Sequence, residues 1–339
     1  MSITQGFCGT VGSTPLIEIP SLSKFTGCRI LGKAEFLNPG GSVKDRAALG
    51  IVLDAISTGK LKPGGTIVEG TAGNTGIGLT HVANALGYKT IIVIPNTQSQ
   101  EKMDYLRAIG ADVRPVPAVP YSNPENFNHV AKRLAEEIPN AVWANQFDNV
   151  ANRDFHIKTT GPEIWQQTQG DLDAFVTAVG SGGTLAGVSQ FLKSKRSSVR
   201  TVCVDPYGAA MYSWFKHGHL NDVVGGSITE GIGQMRITAN LENAPIDDAI
   251  RISDAPIVEM VHYLAHHEGL FLGSSAALNV LGAIQVAQKI GPGKTVVTVL
   301  CDGAGRYLSR LFNPQWLTEK ALLPKSNGLE FLNSISELK

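Results

Sequence analysis

The sequence predicts an α/β protein with an open, mostly parallel sheet and helices on both faces. Three observations carry this. Short apolar runs alternate with amphipathic segments, polar glycine-rich loops join them, and 339 residues exceed one ordinary domain. Two lobes with substantial cores are expected.

The first element with a chemical signal is the run Asn38-Pro39-Gly40-Gly41-Ser42-Val43-Lys44-Asp45-Arg46. Ser42 followed by Asp45 reads as a capping-box variant that starts a helix near Val43. Ala48, Ile51, Val52, Ala55 and Ile56 then recur at helical spacing, and Gly59 ends the pattern. Between Thr66 and Pro95, TIVEG, TAGNTG, IGLTHVANALG and TIIVIP read as strand, loop, helix and strand, a βαβ unit. SQEKMDYLRAIGADVRPV and NHVAKRLAEEIPNAVWANQ each add a helix and a strand, separated by the proline-rich surface loop at 115–126. The polar stretch from Asn145 to Asn152 is a candidate lobe boundary. Beyond it, AFVTAVGSGGTLAGVSQFLKSKRSSVRTVCVDP repeats strand, glycine loop, helix and strand, and KTVVTVLCDGAGRYLSRLF closes with strand, loop and helix. The residues from about Pro324 are polar and read as a weakly attached tail.

Hydrophobic content of 43% with 17% charged residues describes a compact, enzyme-like composition. Lysine plus arginine balances aspartate plus glutamate at 29 each, so no global field favours nucleic acid or an acidic membrane. The ligands should be small. Cys8, Cys28, Cys203 and Cys301 lie apart without a CxxC pair, which suggests neither zinc nor a disulfide framework and fits a reducing compartment. His217 with His219, and His266 with His267, lack acidic or thiol partners at ligand spacing, so no metal site is expected. The stretch MSITQGFCGTVG has neither a basic nor an apolar targeting region, and no apolar run reaches membrane-spanning length. A cytoplasmic protein is the expectation.

Lys44 falls in the first turn of its helix, where the macrodipole disfavours an ammonium by about 0.3–1 kcal/mol. A neutral amine or an imine is favoured there, as Schiff-base lysines require. A solvated lysine on a capped helix is the bland alternative. In open parallel sheets ligands bind beyond the carboxyl ends of strands, and two glycine-rich loops hold that position. Gly180-Ser181-Gly182-Gly183-Thr184 follows a strand and opens a helix, so its N–H groups and the Thr184 hydroxyl can cradle a phosphate. A dinucleotide fingerprint competes, because Asp205 stands near the ~20-residue spacing of a ribose-binding acid, although Leu185 replaces its last glycine. A ligand-free turn is the plain alternative. A phosphate site beside a Schiff-base lysine means pyridoxal 5′-phosphate. Thr71-Ala72-Gly73-Asn74-Thr75-Gly76 offers N–H groups, hydroxyls and an amide suited to an amino acid's carboxylate. The Asn74 amide could also donate to the phenolate oxygen of a cofactor ring.

NPGGSVKDR, TAGNTG, NQFDN with Gln146, TTGPEIW, GSGGT, GIG at Gly231–Gly233, LGSSAA at Leu272–Ala277 and GRYLS at Gly305–Ser309 succeed one another over about residues 10 to 315. Through these motifs the chain resembles the cysteine synthase (O-acetylserine sulfhydrylase) and cystathionine β-synthase family of fold type II pyridoxal-phosphate enzymes. The resemblance implies a tryptophan synthase β-like fold of two open, mostly parallel sheets flanked by helices. Residues 38–148 would form a smaller mobile domain binding the substrate carboxylate, and 10–37 with 149–322 a larger domain binding the cofactor phosphate. Residues 323–339 would be a C-terminal tail.

By the same resemblance Lys44 carries the cofactor as an imine and acts as base, Asn74 contacts the ring oxygen, and Gly180, Ser181, Gly182, Gly183 and Thr184 bind the phosphate. Thr71, Ala72, Gly73, Thr75 and Gln146 would surround the substrate carboxylate, Ala72 standing where the family usually has serine, and Gly231 would face the amino group. Asp302, in a stretch where the family usually places serine or threonine, is expected at the ring nitrogen, with helix capping as the alternative. The implied reaction is β-replacement on O-acetyl-L-serine with sulfide through an α-aminoacrylate, giving L-cysteine and acetate. The family is usually homodimeric, and some members dock a serine acetyltransferase tail. Serine or O-phosphoserine as donor, with homocysteine or cyanide as acceptor, stays open, Arg236 being a candidate for a phosphate group. So do an NAD-dependent dehydrogenase built on Gly180 to Gly187 with Asp205, and a relative without turnover.

Overall fold

Two sheets organise the computed structural model, which describes residues 3–334 other than 72, 99, 222 and 224. In chain order the strands are β1 (Leu16–Glu18), β2 (Arg29–Ala34), β3 (Thr66–Gly70), β4 (Lys89–Pro95), β5 (Asp112–Val116), β6 (Ala141–Trp143), β7 (Ala174–Ala178), β8 (Arg200–Pro206), β9 (Asp248–Ile252) and β10 (Thr295–Leu300). The six-stranded sheet runs β1-β2-β10-β7-β8-β9 and the four-stranded sheet β5-β4-β3-β6. Only the β1–β2 pairing is antiparallel among the described strands. The α/β class with two mostly parallel sheets is therefore present, and both strands before residue 38 lie in the larger sheet.

Strand chemistry explains this arrangement. β3, β7 and β10 are buried at every position, as parallel strands covered on both faces must be. Alternate residues feed separate cores: Val176, Val202 and Val296 face one side of the large sheet, while Phe175, Cys203 and Val297 face the other. Ala48, Leu49, Ile51 and Val52 of the Lys44–Ser57 helix pack with Ile67, Leu79 and Val82, which seats this helix against the small sheet.

The start of that helix differs from the expected capping box. Asp45 reaches back five residues and accepts from the Gly40 N–H at 2.6 Å, while Ser42 Oγ accepts from the Lys44 N–H at 3.2 Å. The acid thus closes the glycine loop, where Gly41 has φ +84°. The residues after Pro324 also differ from a weakly attached tail. Phe331 and Leu332 are buried in the core beside the Asp254–His267 helix, and the Lys325 N–H donates to Glu259 at 2.8 Å. Two apolar side chains in a polar stretch suffice to dock it.

Two residues after Lys44, the fully buried Arg46 joins three segments. Its guanidinium donates to Glu35 at 2.7 and 2.8 Å and to both Glu163 oxygens at 2.7 Å, and Lys33 pairs with Glu163 at 2.6 Å. Glu163 belongs to the TTGPEIW motif, whose Thr160–Gln167 helix is thereby tied to the Lys44 helix. Burial alone would raise the Glu163 carboxyl, but Arg46 and Lys33 overcome it and hold the group at about 2. Its folded pKa is thus depressed, so its contribution is complete above pH 4.5 and is lost as pH falls towards about 2. Arg46→Met should cost about 3–5 kcal/mol near neutral pH, because buried Glu35 loses its bonded counter-ion and Glu163 keeps only Lys33. Urea unfolding should show a smaller deficit near pH 4, where the freed carboxylates take up protons.

Candidate active site

The loops following β3, β7 and β10 meet at one cavity of 260 Å³. Thr71, Gly73, Asn74, Thr75 and Gln146 line one side, Gly180, Ser181, Gly231 and Cys301 the other, and Lys44 stands between them. A narrow extension reaches Gly182 and Thr184. Ala72 lies outside the described residues. Lys44 is half-buried on the first turn of its helix. A β-carbon on Gly180 would sit 3.6 Å from Lys44 Nζ and only 2.6 Å from the Gly231 carbonyl oxygen, so the glycine keeps open the space beside the amine.

In the Gly180–Thr184 loop, Gly182 adopts φ +90° and caps the Gly183–Lys195 helix, whose N-terminal N–H groups face the cavity extension. Asn152 Nδ2 donates to Ser181 Oγ at 2.7 Å, and Thr238 Oγ1 donates to the Ser181 carbonyl at 2.8 Å. Behind the loop, His156 lies 3.2 Å from Thr184 Oγ1 and 2.8 Å from Thr160 Oγ1. Burial, with Arg46 adding repulsion, drops its imidazole to about 3. His156 is therefore neutral and orients the Thr184 hydroxyl without placing a charge there.

On the other lobe, Gly73 precedes the Asn74–Leu86 helix with φ +153°. Thr75 Oγ1 donates to Gln146 Oε1 at 2.6 Å, and the Gly73 N–H donates to Thr71 Oγ1 at 3.2 Å. Beneath them Glu69 is fully buried, and desolvation raises its carboxyl to about 8. A protonated Glu69 spares the Thr71–Gln146 side of the cavity a buried negative charge.

Asp302 is placed differently from its expected position at the ring nitrogen. Its Oδ2 accepts from Asn74 Nδ2 at 2.7 Å and from the Tyr307 hydroxyl at 2.5 Å, and Cys301 rather than Asp302 lines the cavity. Nor does Asp302 act as a helix cap, since the Ala304–Arg306 turn has no side-chain cap. Ser275, in the first turn of the Ser274–Ile290 helix, faces the cavity with Cys301. Burial, aided by Asp302, raises the Cys301 thiol to about 12, so it is neutral. Lys102 and Glu230 also line the cavity and form an ion pair across the two lobes, with Arg310 on Glu230 at 2.7 Å. No short-range signal marks a pair separated by 128 positions.

Other candidates fall away. Asp205 is fully buried and accepts from the Tyr212 N–H at 2.9 Å, so its carboxyl is not presented to a ribose. Arg236 pairs with both Asp148 oxygens at 2.9 and 2.8 Å and lies 5.0 Å from the Tyr121 ring centre. Its charge is already matched. His217, His219, His266 and His267 are exposed, and among the described residues no cluster has metal-binding composition. No helix among them is long and apolar enough to cross a membrane.

An amine, a helix N-terminus suited to phosphate and the Asn74 amide at one cavity fit pyridoxal 5′-phosphate. The chain is similar to known proteins in sequence and fold. Residues 8–302 match the family model described as pyridoxal-phosphate dependent enzyme. The chain is 57% identical to cysteine synthase 1 of Neurospora crassa over 95% of its own length and 86% of that protein's. It superposes on an O-acetylserine dependent cystathionine beta-synthase from Helicobacter pylori with TM-score 0.81 and 36% identity, covering 91% and 99% of the two chains. An O-ureido-L-serine synthase gives TM-score 0.84 at 36% identity, with 92% and 96% covered.

Glu69 carries a pH prediction. Its pKa is raised from 4.5 to about 8, so the folded state holds a proton the unfolded chain has released, and stability falls as pH rises across that interval. Glu69→Gln should remove this slope. Denaturant unfolding at pH 5 and pH 8 should show the variant gaining on the wild type at the higher pH.

Proposed function

Because the chain belongs to the pyridoxal-phosphate dependent enzyme family, we propose that it replaces the acetate of O-acetyl-L-serine with sulfide, releasing L-cysteine. The observation that carries this is the convergence of Lys44, the Gly180–Thr184 loop and the Thr71–Gln146 pocket on one cavity. Bound pyridoxal 5′-phosphate supplies an electron sink for the charge left at Cα when its proton departs.

The residues divide the remaining work. Lys44, beside Gly180 in the cavity, would hold the cofactor, and its amine would serve as the base that takes the Cα proton and returns it. Gly180, Ser181, Gly182, Gly183 and Thr184 would receive the phosphate on backbone N–H groups and hydroxyls, with neutral His156 beside the Thr184 hydroxyl. Thr71, Gly73, Thr75 and Gln146 would hold the donor's carboxylate at a helix N-terminus, which would orient its Cα toward the Lys44 amine. Gly231 leaves room for the amino group. The Lys102–Glu230 pair spans the opening between the lobes, where closure around the substrate excludes water.

A homodimer is part of this reading and is supported by the resemblance, as is docking of a serine acetyltransferase tail; light scattering with and without such a peptide reads both. The likeness to an O-acetylserine dependent cystathionine beta-synthase favours a second acceptor, a thiol amino acid such as homocysteine, on the same donor.

Lys44→Ala should abolish cysteine formation from O-acetylserine and sulfide, and borohydride treatment should leave no cofactor mass on the peptide containing position 44. Gln146→Ala should fold and lower kcat/KM for O-acetylserine by about 10- to 100-fold, the worth of one hydrogen bond to a carboxylate. Arg236→Ala should leave the rate ratio of O-phosphoserine to O-acetylserine unchanged, since Asp148 already neutralises the guanidinium. Absence of turnover with O-acetylserine in the wild type would refute the proposal.

A further inference from the structure

We infer that Asp302 and Arg306 are positioning residues that fix which end of the Asn74 side-chain amide faces the cofactor. The inference rests on the proposed function, in which this amide donates to the ring oxygen. An asparagine amide is nearly symmetric in shape, and a reversed one would present an oxygen to the ionised ring oxygen and repel it.

The structure holds Asn74 from both sides. Arg306 NH1 donates to Asn74 Oδ1 at 2.6 Å, and Asn74 Nδ2 donates to Asp302 Oδ2 at 2.7 Å. Reversal would set the amide oxygen against a carboxylate and the amide nitrogen against a guanidinium. One Nδ2 hydrogen is engaged by Asp302, and the second remains for a ligand in the cavity that Asn74 lines.

The clamp is itself anchored. Asp302 is 1% exposed, accepts from the Tyr307 hydroxyl at 2.5 Å and forms a backbone bridge with Ser42. Burial raises the Tyr307 phenol well above its usual range, which keeps it protonated as a donor. Arg306 donates to the Gly40 carbonyl at 2.5 Å and lies 5.5 Å from the centre of the Tyr105 ring. Neither Asp302 nor Arg306 lines the cavity, so their influence passes through Asn74. The clamp also crosses from the loop after β10 to the helix after β3, so the amide has its orientation only when the lobes are assembled.

Absorbance of the cofactor-loaded protein tests this independently of turnover. A donor on the ring oxygen favours the ionised form of the Lys44-bound cofactor, which absorbs at longer wavelength than the form with a neutral oxygen. Asn74→Ala, Asp302→Leu and Arg306→Met should each deplete the long-wavelength band in favour of the shorter one. In the Asn74→Ala background, neither second substitution should change the spectrum further. Should Asp302→Leu fail to fold, Arg306→Met reads the same coupling from the other end of the amide. A wild-type spectrum in Arg306→Met and Asp302→Leu, with Asn74→Ala depleted, would overturn the clamp and leave the Asn74 contact standing. An equal further loss in the Asn74→Ala background would also overturn it. A wild-type spectrum in Asn74→Ala, with the cofactor still bonded to Lys44, would instead remove the Asn74 contact on which the clamp depends.

Discussion

A buried guanidinium two residues from the Lys44 amine sets the frame of this molecule. Arg46 binds Glu35, just after β2, and Glu163, on a helix more than a hundred residues away, so the first turn of the Lys44 helix has one position. Desolvating such charges is costly, and apolar packing of equal volume can match their net stability. What the ion pairs supply is register. A shifted helix would strand two carboxylates and an arginine in the interior, a penalty no slipped leucine would impose. The amine beside Gly180 inherits that definition.

The cavity lies at the seam between two sheets, and its polar walls are shared. The Val43 N–H donates to the Cys301 carbonyl at 2.9 Å, Asn74 meets Asp302 and Arg306, and Lys102 meets Glu230. Each link joins a group near the small sheet to one near the large sheet. Buried acids near the seam behave differently from those around Arg46. Among the described residues, no cationic side chain is in bonding contact with Glu69 or Asp45, and desolvation lifts them to about 8 and about 7. Neither acid then sets a full negative charge beside the cavity, whose lining already includes Lys44, Lys102 and Glu230.

Much of this is legible in the sequence where chemistry is local. Lys44, the Gly180–Thr184 loop and the Thr71–Thr75 loop are contiguous motifs at predicted strand-to-helix junctions, and a junction in a parallel sheet has one functional side. The position of Asp302 is not legible, because its direction depends on Asn74 and Tyr307, the first of them 228 positions away. Ser275 is visible only as part of a motif, since nothing in LGSSAA says which serine turns inward. Spacing alone suggests a capping box for Asp45, and a glycine pair lets the loop fold back to it instead. The segment after Pro324 is polar on average, although burial is decided by single residues such as Phe331 and Leu332.

The span of the Arg46 network limits how the protein could be dissected. Its acidic partners stand 11 and 117 positions away, and both fall outside the lobe built on the four-stranded sheet. Excising residues 38–148 as a minimal scaffold would carry the guanidinium away without either counter-charge. A transplant of the lysine motif into another framework must therefore bring two distant acids with it, and fragment complementation is a sounder route to a miniature than truncation.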